Sequence, residues 1–216
     1  MYLVFSLSPL FRGKLIGDVS AVTLALRSEP YLVDFQDEIG KTPLWLAVEN
    51  GLLEMTQLLI AHRAASDIAD QAGNSLLHLA IDNCLNTYDS LREHCIKIVN
   101  FLLSSGIDIN TTNGKGFSCL HNAAILGDRE MVLFLLENGT DVNLTSNEGF
   151  TPFLWTLYAD VWEREIPKYL ETLDVLVQAG ADVNVVTHDG KTVLAIAKEM
   201  NLRPPFLKFL RECGAI

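Results

Sequence analysis

Ser118-Cys119-Leu120-His121-Asn122-Ala123-Ala124-Ile125-Leu126-Gly127 opens a stretch that closes with Leu135-Leu136-Glu137-Asn138-Gly139-Thr140-Asp141-Val142-Asn143. The hydroxyl of Ser118 suits a helix N-cap, the alanines let neighbouring helices approach closely, and each glycine suits the left-handed stop of a helix. The stretch therefore predicts two short helices separated by a glycine break. Its opening returns along the chain as Ser8-Pro9-Leu10, Thr42-Pro43-Leu44, Ser75-Leu76-Leu77, Thr151-Pro152-Phe153 and Thr192-Val193-Leu194. Successive hydroxyl residues are 34 (42 minus 8), 33 (75 minus 42), 43 (118 minus 75), 33 (151 minus 118) and 41 (192 minus 151) residues apart. A base period near 33, lengthened twice, marks a chain of stacked structural repeats.

Several positions of each unit recur together. Asp37-Glu38-Ile39-Gly40-Lys41-Thr42-Pro43-Leu44-Trp45-Leu46-Ala47-Val48-Glu49-Asn50-Gly51 reads as a turn, a first helix and a break, and Leu52 to Ile60 follow as the second helix. Units close with Gly106-Ile107-Asp108-Ile109-Asn110, Gly139-Thr140-Asp141-Val142-Asn143 and Gly180-Ala181-Asp182-Val183-Asn184. Leu58, Leu59, Phe101, Leu102, Leu135, Leu136 and Leu176 supply the apolar stripe that no single unit could bury alone.

On these residues the sequence resembles the ankyrin repeat family from Ser8 almost to its end. The expectation is an all-α repeat solenoid in one domain of about six repeats: residues 1–36, 37–69, 70–112, 113–145, 146–186 and 187–216, each a helix-turn-helix with a hairpin-like turn. Met1 to Phe5 carries no basic residue before it, and the register already runs from Ser8 to Gly17, so the start reads as a terminal repeat rather than a signal peptide. The helix from Phe206 to Glu212 reads as a C-terminal cap, which makes the stack complete at both ends in this reading. Glu199-Met200-Asn201 lacks the break glycine, the third unit has Leu76 and Ile81 for Pro and Ala, and the fifth has Thr156 and Leu157 for the small residues.

The two long steps are this chain's own. Asn86 to Glu93 in the third unit and Ala159 to Tyr169 in the fifth fall between the paired helices, where they would lengthen a helix or add a loop. Tyr88, Trp162 and Tyr169 are the aromatic residues they bring, and they are candidate anchors for a partner.

Nothing in the pattern points to catalysis. The five histidines are scattered at positions 62, 78, 94, 121 and 188, and His78 and His121 occupy the position where the resemblance implies a structural histidine. Gly114-Lys115-Gly116 lacks the spacing of a phosphate-binding loop and reads as a hairpin tip. Cys84, Cys95, Cys119 and Cys213 show no metal-site or disulfide spacing, which suits reduced thiols in the cytoplasm, with the nucleus or a host-cell cytosol as alternatives. No cofactor or metal is expected, and no apolar stretch reaches membrane-spanning length.

Function therefore falls to surfaces. The resemblance implies a concave groove, formed by hairpin tips and first helices, that binds other proteins. Mapped unit by unit, the contact candidates are Lys41, Trp45 and Leu46; Asn74, Asp82 and the inserted Tyr88; Lys115, Phe117 and Asn122; Glu148, Phe150, Trp155, Tyr158 and the inserted Trp162; and His188 with Asp189. The aromatics of repeats four and five exceed what a stacking helix needs, so contact is expected to centre on repeats three to five. The chain carries a net charge of −11, and residues 128–182 hold eleven acids against three bases, a local charge of −8 (three minus eleven). Such a field disfavours nucleic acid and anionic membrane and steers a basic partner. The expected function is non-catalytic protein binding by a monomer, with a partner presenting apolar and basic groups. Alternatives are an acidic inhibitor or immunity-type protein blocking a basic toxin or nuclease, a self-associating scaffold, and a substrate of an asparaginyl hydroxylase, since the resemblance places Asn110, Asn143 and Asn184 at the position such enzymes modify.

Overall fold

The computed structural model describes residues 18–86, 89–159 and 161–216. The segment Ser8-Pro9-Leu10 and the candidate Tyr88 lie outside the described residues. Contacts along the chain fall into two compact units, Met1–Asp108 and Ile109–Ile216.

The first unit contains α1 (Val19–Ser28), a 3-10 turn (Pro30–Asp34), α2 (Pro43–Glu49), α3 (Leu53–Ala61), α4 (Leu76–Leu85) and α5 (Asp89–Ser104). Here α2 packs on α3 and α4, and α3 packs on α1 and α5. The second contains α6 (Cys119–Ile125), α7 (Arg129–Glu137), α8 (Pro152–Thr156), a 3-10 turn (Glu163–Glu165), α9 (Ile166–Gln178), α10 (Val193–Glu199) and α11 (Pro204–Glu212). Here α6 packs on α7 and α8, α9 packs on α7, α8 and α11, and α10 packs on α11. The described residues thus form eleven α-helices and no strand beyond isolated bridges, such as Thr112 with Ser118, that close the hairpin tips.

The hydroxyls cap as their positions require. Thr42 accepts from the Trp45 N–H at 3.2 Å, Thr151 from Leu154 at 3.3 Å and Thr192 from Ala195 at 3.3 Å, while Pro43 and Pro152 stand in the first turn, which lacks a partner for their missing N–H. Beneath them Leu44, Ala47, Leu76 and Leu77 in the first unit, and Leu120, Ala123, Phe153 and Leu176 in the second, are fully buried. In α8, Thr156 donates from its hydroxyl to the Pro152 carbonyl at 2.8 Å, a back-bond that competes with helix continuation, and the helix ends there.

The break missing its glycine is made by Asn201, at φ +52°, and the α3 terminus uses Arg63 at φ +64° where later repeats place Gly106, Gly139 and Gly180. Asparagine tolerates that region better than a long side chain does. Arg63 is exposed, and the next residue's N–H, that of Ala64, donates to Leu59 at 3.0 Å, so relief of the Cβ clash is not offset by lost packing. Arg63→Gly should therefore stabilise the chain by about 0.5–1 kcal/mol, read as a rise in denaturant midpoint at unchanged slope, and Asn201→Gly should gain less.

Both inserted segments lengthen a second helix. α5 has 16 residues and α9 has 13, against 9 in α3 and α7. Tyr169 is not an anchor: it is 8% exposed, its hydroxyl donates to the Ile125 carbonyl at 3.2 Å, and its ring lies where a Cβ on Gly127 would meet it at 3.1 Å. With Lys168, whose ammonium donates to the Leu126 carbonyl at 2.9 Å, it satisfies the C-terminal end of α6.

The recurring asparagines form a ladder. Asn143 accepts from the Asp182 N–H at 2.8 Å and donates to the Gly180 carbonyl at 3.0 Å; Asn184 accepts from Ile216 at 2.9 Å and donates to Gly214 at 3.2 Å; Asn110 accepts from Asp141 at 2.9 Å. Their periodic recurrence thus has a structural cause.

Candidate functional site

The site residues of the second unit are set by its hairpin tips. Asn113 accepts from the N–H groups of Lys115 and Phe117 at 3.0 and 3.1 Å, and the Ser146 hydroxyl oxygen accepts from Glu148 and Phe150 at 3.3 and 3.2 Å. These side chains replace the backbone partners a tight turn lacks, and they fix where the two phenylalanines leave the turn. Neighbouring tips are stitched together: the Asn147 N–H donates to Lys115 at 3.0 Å, and its side-chain amide donates to Gly114 at 3.0 Å. His188 belongs to the same stack, because a Cβ on Gly149 would come within 2.8 Å of its ring.

Gly116 marks the tightest approach. It sits at φ +79°, and a Cβ there would lie 2.6 Å from the Asn147 backbone nitrogen. Gly116→Ala should cost about 2 kcal/mol, combining left-handed strain with separation of the two tips, and a denaturation midpoint lowered at unchanged slope would register it.

His121 ties the tips to the helices. It is fully buried; the Ser118 N–H donates to its Nδ1 at 3.0 Å, so Nε2 carries the proton and donates to the Phe150 carbonyl at 2.9 Å. The bond ties Phe150 to α6, the first helix of the preceding repeat. Phe117 stacks on Trp155 at a centroid distance of 4.6 Å and meets His121 edge-on at 5.3 Å. Phe150 lies 5.6 Å from Trp155 and 5.0 Å from Tyr158, and Trp155 and Tyr158 stack at 5.7 Å. The structure brings together Phe117, Phe150, Trp155 and Tyr158 as one continuous, half-buried aromatic face.

Carboxylates border this face. Burial pushes the Tyr158 hydroxyl above its ordinary value; Lys191 opposes the shift, and the charges of Asp189, Glu199 and Glu148 add to it. Lys191 is itself held by Glu199 at 2.7 Å and Asp189 at 3.5 Å. Most of the acids that give residues 128–182 their charge lie elsewhere: Glu130, Glu137, Glu171 and Asp174 are on α7 and α9, the second helices, and Glu148 alone stands on an aromatic-bearing tip.

The other candidates do not join this cluster. Trp162 is 67% exposed at the start of the 3-10 turn, where its N–H donates to Glu165 at 3.3 Å, and no ring contacts it among the described residues. Lys115 is exposed at the tip and Asn122 is half-buried on α6. In the first unit, Trp45 is not an exposed anchor. It takes the helix position that His78 and His121 hold elsewhere, and its indole is 7% exposed because an apolar ring there turns inward against its neighbours. Lys41 is paired with Glu49 at 2.6 Å, Asn74 donates to Asp70 at 2.9 Å, and Leu46 and Asp82 are half-buried.

A relationship not anticipated from the sequence links these residues. At three of the capping hydroxyls the preceding residue faces the residue seven after the hydroxyl: Lys41 with Glu49, Phe150 with Tyr158, Lys191 with Glu199. Opposite charges or two aromatics at a spacing of eight were the available signal.

Among the described residues no group of His, Cys, Asp and Glu could hold a metal ion, and no helix is long and apolar enough to cross a membrane. The four cysteines are in no disulfide, and Cys84, Cys95 and Cys119 are buried.

Comparison with known proteins agrees with this architecture. The chain is 31% identical to Palmitoyltransferase AKR1 of Lachancea kluyveri over 92% of its own length and 25% of the relative's. It is 33% identical to NF-kappa-B inhibitor alpha of Homo sapiens over 44% of this chain and 29% of that protein. It is 28% identical to a putative ankyrin repeat protein of Rickettsia felis over 53% of this chain and 35% of the relative. It thus spans about a quarter to a third of these relatives. A family model described as ankyrin repeats (3 copies) matches residues 14–113 and 90–184. With its repeats, caps and matched residues in agreement, the chain belongs to the ankyrin repeat family, whose units are non-catalytic and bind other proteins.

Proposed function

We propose that this chain binds a protein partner through the aromatic face of the unit Ile109–Ile216. The observation that carries the reading is the contiguity of Phe117, Phe150, Trp155 and Tyr158, half-buried in the free chain and stacked into one surface. Preformed aromatic surface has little rotamer freedom left to lose, so its remaining area converts efficiently into affinity. The partner presents apolar groups flanked by basic ones, because Glu148, Asp189 and Glu199 lie within electrostatic reach of Tyr158. The chain works as a monomer in a reducing compartment, where burial, with the charges of Asp174 and Glu212, keeps the Cys213 thiol protonated.

Placement of Glu130, Glu137, Glu171 and Asp174 on the second helices, away from the aromatic tips, adds long-range steering to direct contact. In the inhibitor reading, which the relative named NF-kappa-B inhibitor alpha lends support, a basic target is attracted by that field and held by the aromatics. The test compares proteins retained by the immobilised native chain with those retained when Phe117, Phe150 and Tyr158 are all alanine. Loss of a basic partner is expected; unchanged retention overturns the proposal.

A further inference from the structure

A groove of about 890 Å³ lies within the unit Met1–Asp108, between the tip that ends at Lys41 and the next tip, residues 68–72. Trp45 and Leu79 form its apolar walls, Ile39 stands at its mouth 71% exposed, and Glu49 and Asp70 contribute carboxylates.

Its walls occupy the positions that surround Phe117 in the second unit. Relative to the capping hydroxyl, Lys41 precedes Thr42 as Phe117 precedes Ser118; Trp45 follows by three as His121 does; and Leu79 follows Ser75 by four as Trp155 follows Thr151. In the second unit the Phe117 ring fills the space bounded by His121 and Trp155. In the first, that position is a lysine whose ammonium is drawn to Glu49 at 2.6 Å, and the volume between the walls remains.

We infer that this groove receives an aromatic side chain of a partner protein, seated as Phe117 is seated in the second unit and followed or preceded in the partner by a basic residue. The molecule itself supplies the template, since in the second unit a phenylalanine at this register packs between the two equivalent wall positions, there His121 and Trp155. Charge complementarity selects the flanking residue: Glu49 neutralises Lys41, which leaves Asp70 as the excess charge at the rim. Burial raises the Asp70 carboxyl, but hydrogen bonds from Asn74 and Ala72 outweigh it and hold the group below its ordinary value, hence ionised at neutral pH. The site is distinct from the aromatic face proposed above and stands whether or not that face binds.

The test titrates the full chain with N-acetyl-arginyl-phenylalaninamide and, separately, N-acetyl-arginyl-leucinamide, following backbone amides and the Trp45 indole N–H by NMR. Saturable shifts at Gly40, Ala72, Leu79 and the indole are expected, with the phenylalanine probe about fivefold tighter, the binding of a single side chain being in the millimolar range. Lys41→Phe should fill the groove from within, abolish these shifts and raise the thermal midpoint by about 2–4 °C. Lys41→Leu, a smaller change, should weaken the probe about threefold. Absence of saturation, equal affinity for both probes, or shifts that persist unchanged in both Lys41 variants would overturn the inference. The Phe117, Phe150 and Tyr158 alanine variant should keep the shifts, which separates failure here from failure of the other surface.

Discussion

The chain carrying Phe117→Ala, Phe150→Ala and Tyr158→Ala is expected to lose about a hundredfold or more in partner affinity while remaining folded. Aromatic anchors at the centre of an interface each contribute about 2 kcal/mol or more, and three removed together exceed that loss even with imperfect additivity. The fold bears a smaller cost. All three rings are half-buried, and what they lose is ring contact with one another, with Trp155 and with His121, each pair contributing about 0.5–1.5 kcal/mol. The five ring contacts removed sum to at least about 2.5 kcal/mol, which corresponds to a fall of about 5–10 °C or more in thermal midpoint for a chain of this size. Binding calorimetry beside a thermal melt checks both halves. A variant that unfolds at ambient temperature would show these rings to be core, and one that binds normally would show the face to be idle.

Phe153→Ala should behave in the opposite way. Phe153 shares the five-residue helix Pro152–Thr156 with Trp155, yet it is 0% exposed and among the largest fully buried side chains. Truncating a fully enclosed phenylalanine leaves a cavity the surrounding helices only partly close, at about 3–5 kcal/mol. The thermal midpoint should drop by about 10 °C or more. Partner affinity measured well below that midpoint should change far less than in the triple variant. The two experiments together divide one short helix into a structural face and a binding face.

Much of this division was legible in the sequence, because the repeat register states which residues share a face. Phe117 and Phe150 precede a capping hydroxyl, and Trp155 and Tyr158 follow one by four and seven; those positions fall on tips and first helices, and the structure stacks their rings. Register alone does not say how deep a side chain sits. Trp45 and His121 hold equivalent positions, so the indole is buried where a binding residue was expected. Tyr169 looked like surface because it lies in an insertion; its hydroxyl instead finds the open carbonyl of Ile125, over forty residues away in sequence.

The charge pattern shows the same limit. A local excess of acids is visible from composition, but four of the eleven, Glu130, Glu137, Glu171 and Asp174, stand on α7 and α9 away from the aromatic tips, and pairing removes Lys41 and Lys191 as free cations. Of the left-handed termini, Asn201 is a residue type that favours the region whereas Arg63 announces nothing, and at both the hydrogen bonds that end the helices impose the positive φ.

By itself the sequence determined the repeat, its period, the capping residues and the register of every side chain, because those depend on local backbone preferences repeated about every 33 residues. Only the tertiary structure decided which of the registered side chains are wall, anchor or core. That choice depends on what the neighbouring repeat places opposite each one: a ring opposite Phe117, a carbonyl opposite Tyr169, and an open groove opposite Lys41.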